Sequence, residues 1–159
     1  MRASGLGTMT GQFPGHMATA LDEARAAAAR GEVPVGAVVS GPDGQVLAQA
    51  GNRTRELNDP TAHAEMLAIR AACAVLGTER LVGCDMTVTL EPCPMCATAI
   101  SFARIRRLYF GASDAKGGGV ENGPRIFNQQ ACHHAPEVYG GFAATAAAEL
   151  LVSFFASRR

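Results

Sequence analysis

LEPCPMCATAI, residues 90–100, is the stretch on which the reading of this chain turns. DMTVTLE (85–91), which runs into it, is β-branched and apolar and forms a strand. Pro94 then falls in a first helical turn, where its missing N–H costs nothing, and 95–103 is good helix former throughout. The order is strand then helix, with Cys93 and Cys96 at the junction. A thiolate is favoured there, because a helix N-terminus attracts negative charge and lowers thiol pKa. Such a Cys-x-x-Cys can be a redox couple, half of a structural zinc site, part of a catalytic metal centre or an element of a disulfide scaffold.

Upstream, Met17, Leu21, Ala24 and Ala28 recur at helical spacing as far as Arg30, and Gly31 supplies the stop of a first helix. VPVGAVVS (33–40) and QVLAQAGN (45–52) are apolar runs joined by Gly41-Pro42-Asp43-Gly44, a hairpin. Asp59-Pro60-Thr61 starts a second helix over 62–76, apolar at Met66, Ile69, Cys73 and Leu76 and closed by Gly77. Beyond the cysteines, 106–112 is a strand centred on Leu108-Tyr109-Phe110, a glycine-rich loop follows at 117–119, and 143–157 is a closing helix. Strands separated by helices of this length favour a sheet covered on both faces. The expected fold is α/β, a three-layer α/β/α sandwich in one domain over 17–159. MRASGLGTMTGQFPG lacks periodicity, and residues 1–16 are expected to form a disordered leader.

At 159 residues and 48% hydrophobic content, the chain can build one core without disulfide staples. Its five scattered cysteines, an odd number, and the lack of a signal-peptide pattern point to a reducing, cytoplasmic setting. No run approaches the roughly 18 apolar residues that span a bilayer. Fourteen basic residues against fourteen acidic ones create no global field that would draw in nucleic acid. The local excess at Arg104, Arg106, Arg107 and Lys116 fits a solvated face as well as a phosphate-binding one.

Thr61-Ala62-His63-Ala64-Glu65 opens the second helix as Cys93 opens the third. One imidazole and two thiolates are ligands that suit zinc. A structural zinc would normally have a fourth protein ligand, for which His16, Cys73, Cys132, His133 and His134 are the candidates. Cys73 and Cys84 read more simply as small buried hydrophobes, and His133 and His134 as solvated or hydrogen-bonded loop groups. Three ligands leave a position for water. Glu65 stands in a first turn, where side chains lean past the helix end, and is a proton acceptor beside that position. A redox motif would leave His63 and Glu65 without a purpose, so a catalytic zinc centre is the preferred reading.

His63-Ala64-Glu65, a gap of 26 residues, and Pro92-Cys93-Pro94-Met95-Cys96 form the H-x-E…P-C-x-x-C pattern of zinc deaminases. With GEVPVGAVV, GNRTRELNDPTAHAE, TLEPCPMC and FGASDAKGG around it, the chain from about Met17 to Arg159 resembles bacterial tRNA-specific adenosine deaminases. The resemblance implies a cytidine deaminase-like sandwich with a mixed five-stranded sheet. It also implies one zinc per subunit on His63, Cys93 and Cys96, with Glu65 as the catalytic proton shuttle. Asn52 matches the position whose amide hydrogen-bonds the flipped base, and Asp114, Lys116, Phe154, Phe155 and Arg158 match segments near RNA.

The implied reaction is hydrolytic deamination of the wobble adenosine to inosine in tRNA-Arg with anticodon ACG. It would be carried out in the cytoplasm by a homodimer that binds the anticodon stem-loop. Two alternatives stand beside it. One is a nucleobase or nucleoside deaminase of the same superfamily, acting on guanine, cytosine or cytidine; Thr89-Leu90 and Asp114-Ala115-Lys116 favour the tRNA enzyme over a guanine deaminase. The other is a non-catalytic binding protein in which a fourth ligand closes a structural zinc and Glu65 only caps a helix.

Overall fold

In the computed structural model, which describes residues 15–158, the alanine-rich first helix forms as α1, Met17–Ala29, and the chain turns away at Gly31 with φ 85°. Its buried stripe of Met17, Ala20, Leu21, Ala24 and Ala27 keeps the helical period, and the alanines let the helix lie close on the sheet. Gly36 shows how close: a Cβ there would run into the carbonyl oxygen of Ala20. Residues 1–14 of the expected leader, and Arg159, lie outside the described residues. Gly15 and His16 form the turn into α1, with His16 Nε2 2.9 Å from the Gly44 carbonyl oxygen.

The hairpin follows as β1 (Gly36–Ser40) and β2 (Val46–Gly51), antiparallel, with an irregularity between Val39 and Ser40. Then come α2 (Ala64–Leu76), β3 (Asp85–Leu90), α3 (Pro94–Ala103), β4 (Arg107–Ala112), a 3-10 turn at Ile126–Asn128, β5 (Glu137–Tyr139) and α4 (Ala144–Ala156). The sheet order is β2-β1-β3-β4-β5; β1 is antiparallel to both neighbours, whereas β3, β4 and β5 run parallel. α1 and α4 cover one face, α2 and α3 the other. Every residue of β1 is buried, with Ala37 and Val39 in the core under α2 and α3 and Val38 in the core under α1 and α4. A strand covered on both faces reads as a continuous apolar run.

This is the expected α/β/α sandwich with a mixed five-stranded sheet. Residue patterns located four of the strands. The fifth, β5, is a three-residue edge strand whose Val138 alone is partly buried between exposed Glu137 and Tyr139, too short to register as an alternating run. No helix among the described residues is long and apolar enough to cross a membrane.

The crossover through α3 positions the site. Because β3 and β4 are parallel, their C-terminal ends lie side by side, with Leu90 opposite Ala112. Glu91-Pro92-Cys93 and Ser113-Asp114 therefore leave the sheet at one edge, where loops of an α/β sheet gather ligands.

Candidate active site and metal centre

At the start of α2 and of α3 the preceding residue is extended: His63 at φ −72°, ψ 154° and Cys93 at φ −71°, ψ 170°. Neither side chain caps its own helix, so imidazole and thiol are available to one another. The first N–H of α2 is taken instead by Asn52, whose Oδ1 accepts from the Ala64 N–H at 2.7 Å. The Arg53 N–H donates to the Ala62 carbonyl at 3.0 Å, and Asp59 Oδ1 accepts from the Thr61 N–H and hydroxyl at 2.8 and 2.7 Å. In α3, Pro94 has no N–H to satisfy and Cys96 is fully buried.

The two helix starts bring His63 Nδ1 to 3.6 Å from Cys93 Sγ and 3.5 Å from Cys96 Sγ. Tetrahedral zinc, with metal–sulfur distances of about 2.3 Å and metal–nitrogen distances of about 2.0–2.1 Å, separates a sulfur from a nitrogen ligand by about 3.5–3.6 Å. The group already has that spacing. Among the described residues no fourth His, Cys, Asp or Glu joins it. His134 is turned onto the Ile105 carbonyl at 2.7 Å, the Cys132 thiol onto the His134 carbonyl at 3.1 Å, and His16 onto Gly44. Burial pushes the thiols of Cys73 and Cys84 up; Cys84 is the buried core group expected, whereas Cys73 is only partly buried against the core.

The charges in the group call for a cation. Cys93, hydrogen-bonded to Cys96 and to His63, is lowered to about 4, while Cys96, bonded to that thiolate and buried, is pushed far up. Its bond with Cys93 raises the His63 imidazole. Without added positive charge only one of the two thiols ionises; a divalent, thiophilic cation removes the conflict by releasing the second proton. Glu65, 4% exposed, is pushed up to about 7 by burial and, against the pull of its own backbone N–H, by the neighbouring Cys93 charge. A carboxyl titrating near neutrality beside this group can take up a proton and return it.

Asn52 is 8% exposed, and with its Oδ1 spent on Ala64, its amide N–H is what it offers a ligand. Asp114 and Lys116 line a groove with Val33, Leu90, Val152 and half-exposed Phe155. Phe154 does not join that groove: it is buried, edge-on to Phe155, and carries the Arg158 guanidinium 3.9 Å above its ring. Two buried carboxylates were not singled out in the sequence. Glu32 accepts the Arg55 and Glu56 N–H groups at 3.1 and 2.8 Å and so fixes the loop before α2, and Glu91 does the same for the loop after β4. Their signal was slight, a charged residue at the edge of an apolar strand.

The profile of the cytidine and deoxycytidylate deaminase zinc-binding region matches residues 14–112, which include the whole His/Cys/Cys group and Glu65. The chain belongs to this deaminase family. Zinc is its cofactor, one per subunit, and the donor set above fits it. The deaminase is 63% identical over 143 residues to the tRNA-specific adenosine deaminase of Agrobacterium fabrum, covering 90% of this chain and 93% of that one. It is 40% identical over 144 residues to the protein of the same name from Bacillus subtilis, covering 91% and 89%. Among solved structures it matches one from a study of A-to-I editing by tRNA:A34 deaminases at the wobble position of transfer RNA. That match has a TM-score of 0.83 at 64% identity and covers 85% of this chain and 97% of that one. A guanine deaminase of Nitrosomonas europaea matches with a TM-score of 0.76 at 27% identity, covering 89% and 83%.

Proposed function

We propose that this deaminase converts the wobble adenosine of a tRNA to inosine, with tRNA-Arg of anticodon ACG as its substrate. The observation that carries the chemistry is the three-ligand group with Glu65 buried beside it and no fourth protein ligand among the described residues. A binding protein with a structural zinc would close the tetrahedron. Kinship at 63% identity with a tRNA-specific adenosine deaminase, against 27% with a guanine deaminase, supports the RNA substrate over a free base.

In this reading His63, Cys93 and Cys96 hold the zinc. When bound, the metal supplies a water nucleophile activated at neutral pH. Glu65 accepts a proton from that water, donates one to N1 of the adenine and then assists the departure of the amino group. The C6–O bond forms, the C6–N6 bond breaks, and ammonia and inosine result. The Asn52 amide N–H donates to a ring nitrogen of the extruded base, and its tie to Ala64 keeps that donor in a fixed relation to His63. Asp114 and Lys116, with Phe155 across the groove, meet the anticodon loop, and Phe154 and Arg158 brace the helix that carries Phe155. The enzyme works in the cytoplasm as a homodimer; exposed Phe102 on α3 and Leu57 before α2 are the kind of apolar surface that a second subunit covers.

The test offers purified zinc-loaded protein an ACG anticodon stem-loop beside guanine, cytosine, cytidine and adenosine, with inosine and ammonia quantified. Inosine at the wobble position alone is the expected result. Ammonia from guanine with no edited RNA would overturn the substrate assignment.

A further inference from the structure

Glu91 is 2% exposed and accepts six hydrogen bonds. Oε1 receives the Ser113 hydroxyl at 3.3 Å, the Asp114 N–H at 3.0 Å and the Asn122 side-chain amide at 2.7 Å. Oε2 receives three consecutive backbone N–H groups, Val120 at 3.1 Å, Glu121 at 2.9 Å and Asn122 at 3.0 Å. Every one of these donors belongs to the loop between β4 and the 3-10 turn. Glu91 itself precedes Pro92-Cys93 and is tied to β4 through its own N–H, 2.8 Å from the Ala112 carbonyl.

The loop is seated on the same turn at a second point. The Gly119 N–H donates to the Pro92 carbonyl at 2.8 Å, and a Cβ on Gly119 would lie 2.6 Å from the Pro94 nitrogen. A Cβ on Gly118 would collide with Glu91 Oε2. The glycines thus let the loop close down on the carboxylate and on the turn that carries Cys93. Within the loop, Asp114 Oδ1 accepts the Lys116 and Gly117 N–H groups at 3.1 and 2.9 Å, so the position of Asp114 on Glu91 is passed on to Lys116.

We infer that Glu91 is a positioning residue: it locks the loop of residues 113–122, with Asp114 and Lys116, in register with the Cys93/Cys96 turn. It thereby sets how the substrate strand lies over the metal site. The inference rests on the proposed reading that Asp114 and Lys116 meet RNA. The negative charge of Glu91 matters beyond its shape. A glutamine in its place must turn an NH2 group toward one of two clusters of three donors, and whichever way it flips, donors face donors.

The experiment pairs Glu91→Gln with Asn122→Ala, which withdraws one donor from Oε1 without touching the chain next to Cys93. In hydrogen exchange, the amides of Val120, Glu121 and Asn122 are expected to lose protection about tenfold or more in Glu91→Gln and to a smaller degree in Asn122→Ala, with zinc content unchanged. On the anticodon stem-loop, KM is expected to rise about tenfold while kcat stays within about threefold. Full protection at 120–122 in both variants overturns the inference, as does a loss of kcat and zinc with KM unchanged. If Glu91→Gln does not fold, Asn122→Ala decides by the same readouts. If the wild-type protein edits no RNA, the substrate reading fails, and the exchange data still decide whether Glu91 holds the loop.

Discussion

In the proposed mechanism Glu65 does two things that pull against each other, since it must be ionised to accept a proton and yet is buried where ionisation is costly. In protein stripped of zinc, its carboxyl is held up to about 7 rather than near the usual carboxylate value. Across that window the folded chain keeps a proton that the unfolded chain has released, so the contribution of Glu65 to stability falls as pH rises. Urea melts of metal-stripped wild type and Glu65→Gln should therefore coincide near pH 4, and the variant should become progressively the more stable of the two as pH rises from there to about 7, above which the gap stays constant. In zinc-loaded protein the same variant should lose about 10²–10⁴ in kcat while retaining its metal, measured by single-turnover inosine formation and metal analysis. Activity that survives the substitution would remove Glu65 from the mechanism. Glu91 stands at the other extreme. Burial alone would raise it, but the hydrogen bonds from Asp114, the Asn122 amide, and the Asn122 and Glu121 N–H groups prevail and hold its carboxyl below the usual value. Its stabilisation is therefore fully present above the unfolded carboxylate value and is lost as pH falls through the folded one. The stability gap between wild type and Glu91→Gln should narrow in acid.

Among the secondary-structure elements, the start of α2 is the joint that matters. A helix leaves its first N–H groups without partners, and here the Ala64 N–H is satisfied by a residue from the end of β2 rather than by the residue before the helix. Asn52 thus anchors the turn that holds His63, and in the proposed function the same side chain presents an amide N–H to the substrate. The two functions separate by substitution. Asn52→Asp keeps the acceptor and loses the donor, so its melting temperature should stay close to wild type while KM for the stem-loop rises about tenfold or more. Asn52→Ala loses both, and should in addition be destabilised by about 1 kcal/mol, a drop of roughly 2–4 °C in a domain of this size. Equal thermal stability of the two variants would show that the bond to Ala64 does not hold the helix start.

For the whole molecule, charge decides how the proposed RNA substrate would be met. The formal net charge is zero, and Arg25, Arg30, Arg53, Arg80, Arg106 and Arg107 are each within ion-pair distance of a carboxylate. With no net positive charge to draw phosphate in, affinity has to come largely from base extrusion and contacts to bases in the loop. A plot of log affinity for the anticodon stem-loop against log salt should have a slope of only about −1 to −2, near −0.7 for each phosphate contact. A slope of about −5 by fluorescence anisotropy would point to a basic face not accounted for by this charge distribution.

The sequence by itself determined the layers, the element order and the donor types. Helical spacing in α1 and α2, β-branched runs in β1 and β3, and the Pro-Cys-Pro-x-Cys turn are local patterns, and local patterns follow from backbone and side-chain preferences within one element. The three side chains that the fold gathers into a donor set that fits zinc, His63, Cys93 and Cys96, were likewise legible, because each sits at a helix start that the sequence marks. The fold alone decided what depends on residues far apart in the chain. β5 is too short to reveal itself and exists only because β4 offers an edge. Asn52 capping α2 and Glu91 gathering donors from 113–122 are pairings across many residues, and which of the neighbours Phe154 and Phe155 turns inward depends on what α4 packs against. A buried carboxylate is tolerable only once its hydrogen-bond donors have been brought around it, and no local pattern announces where those donors come from.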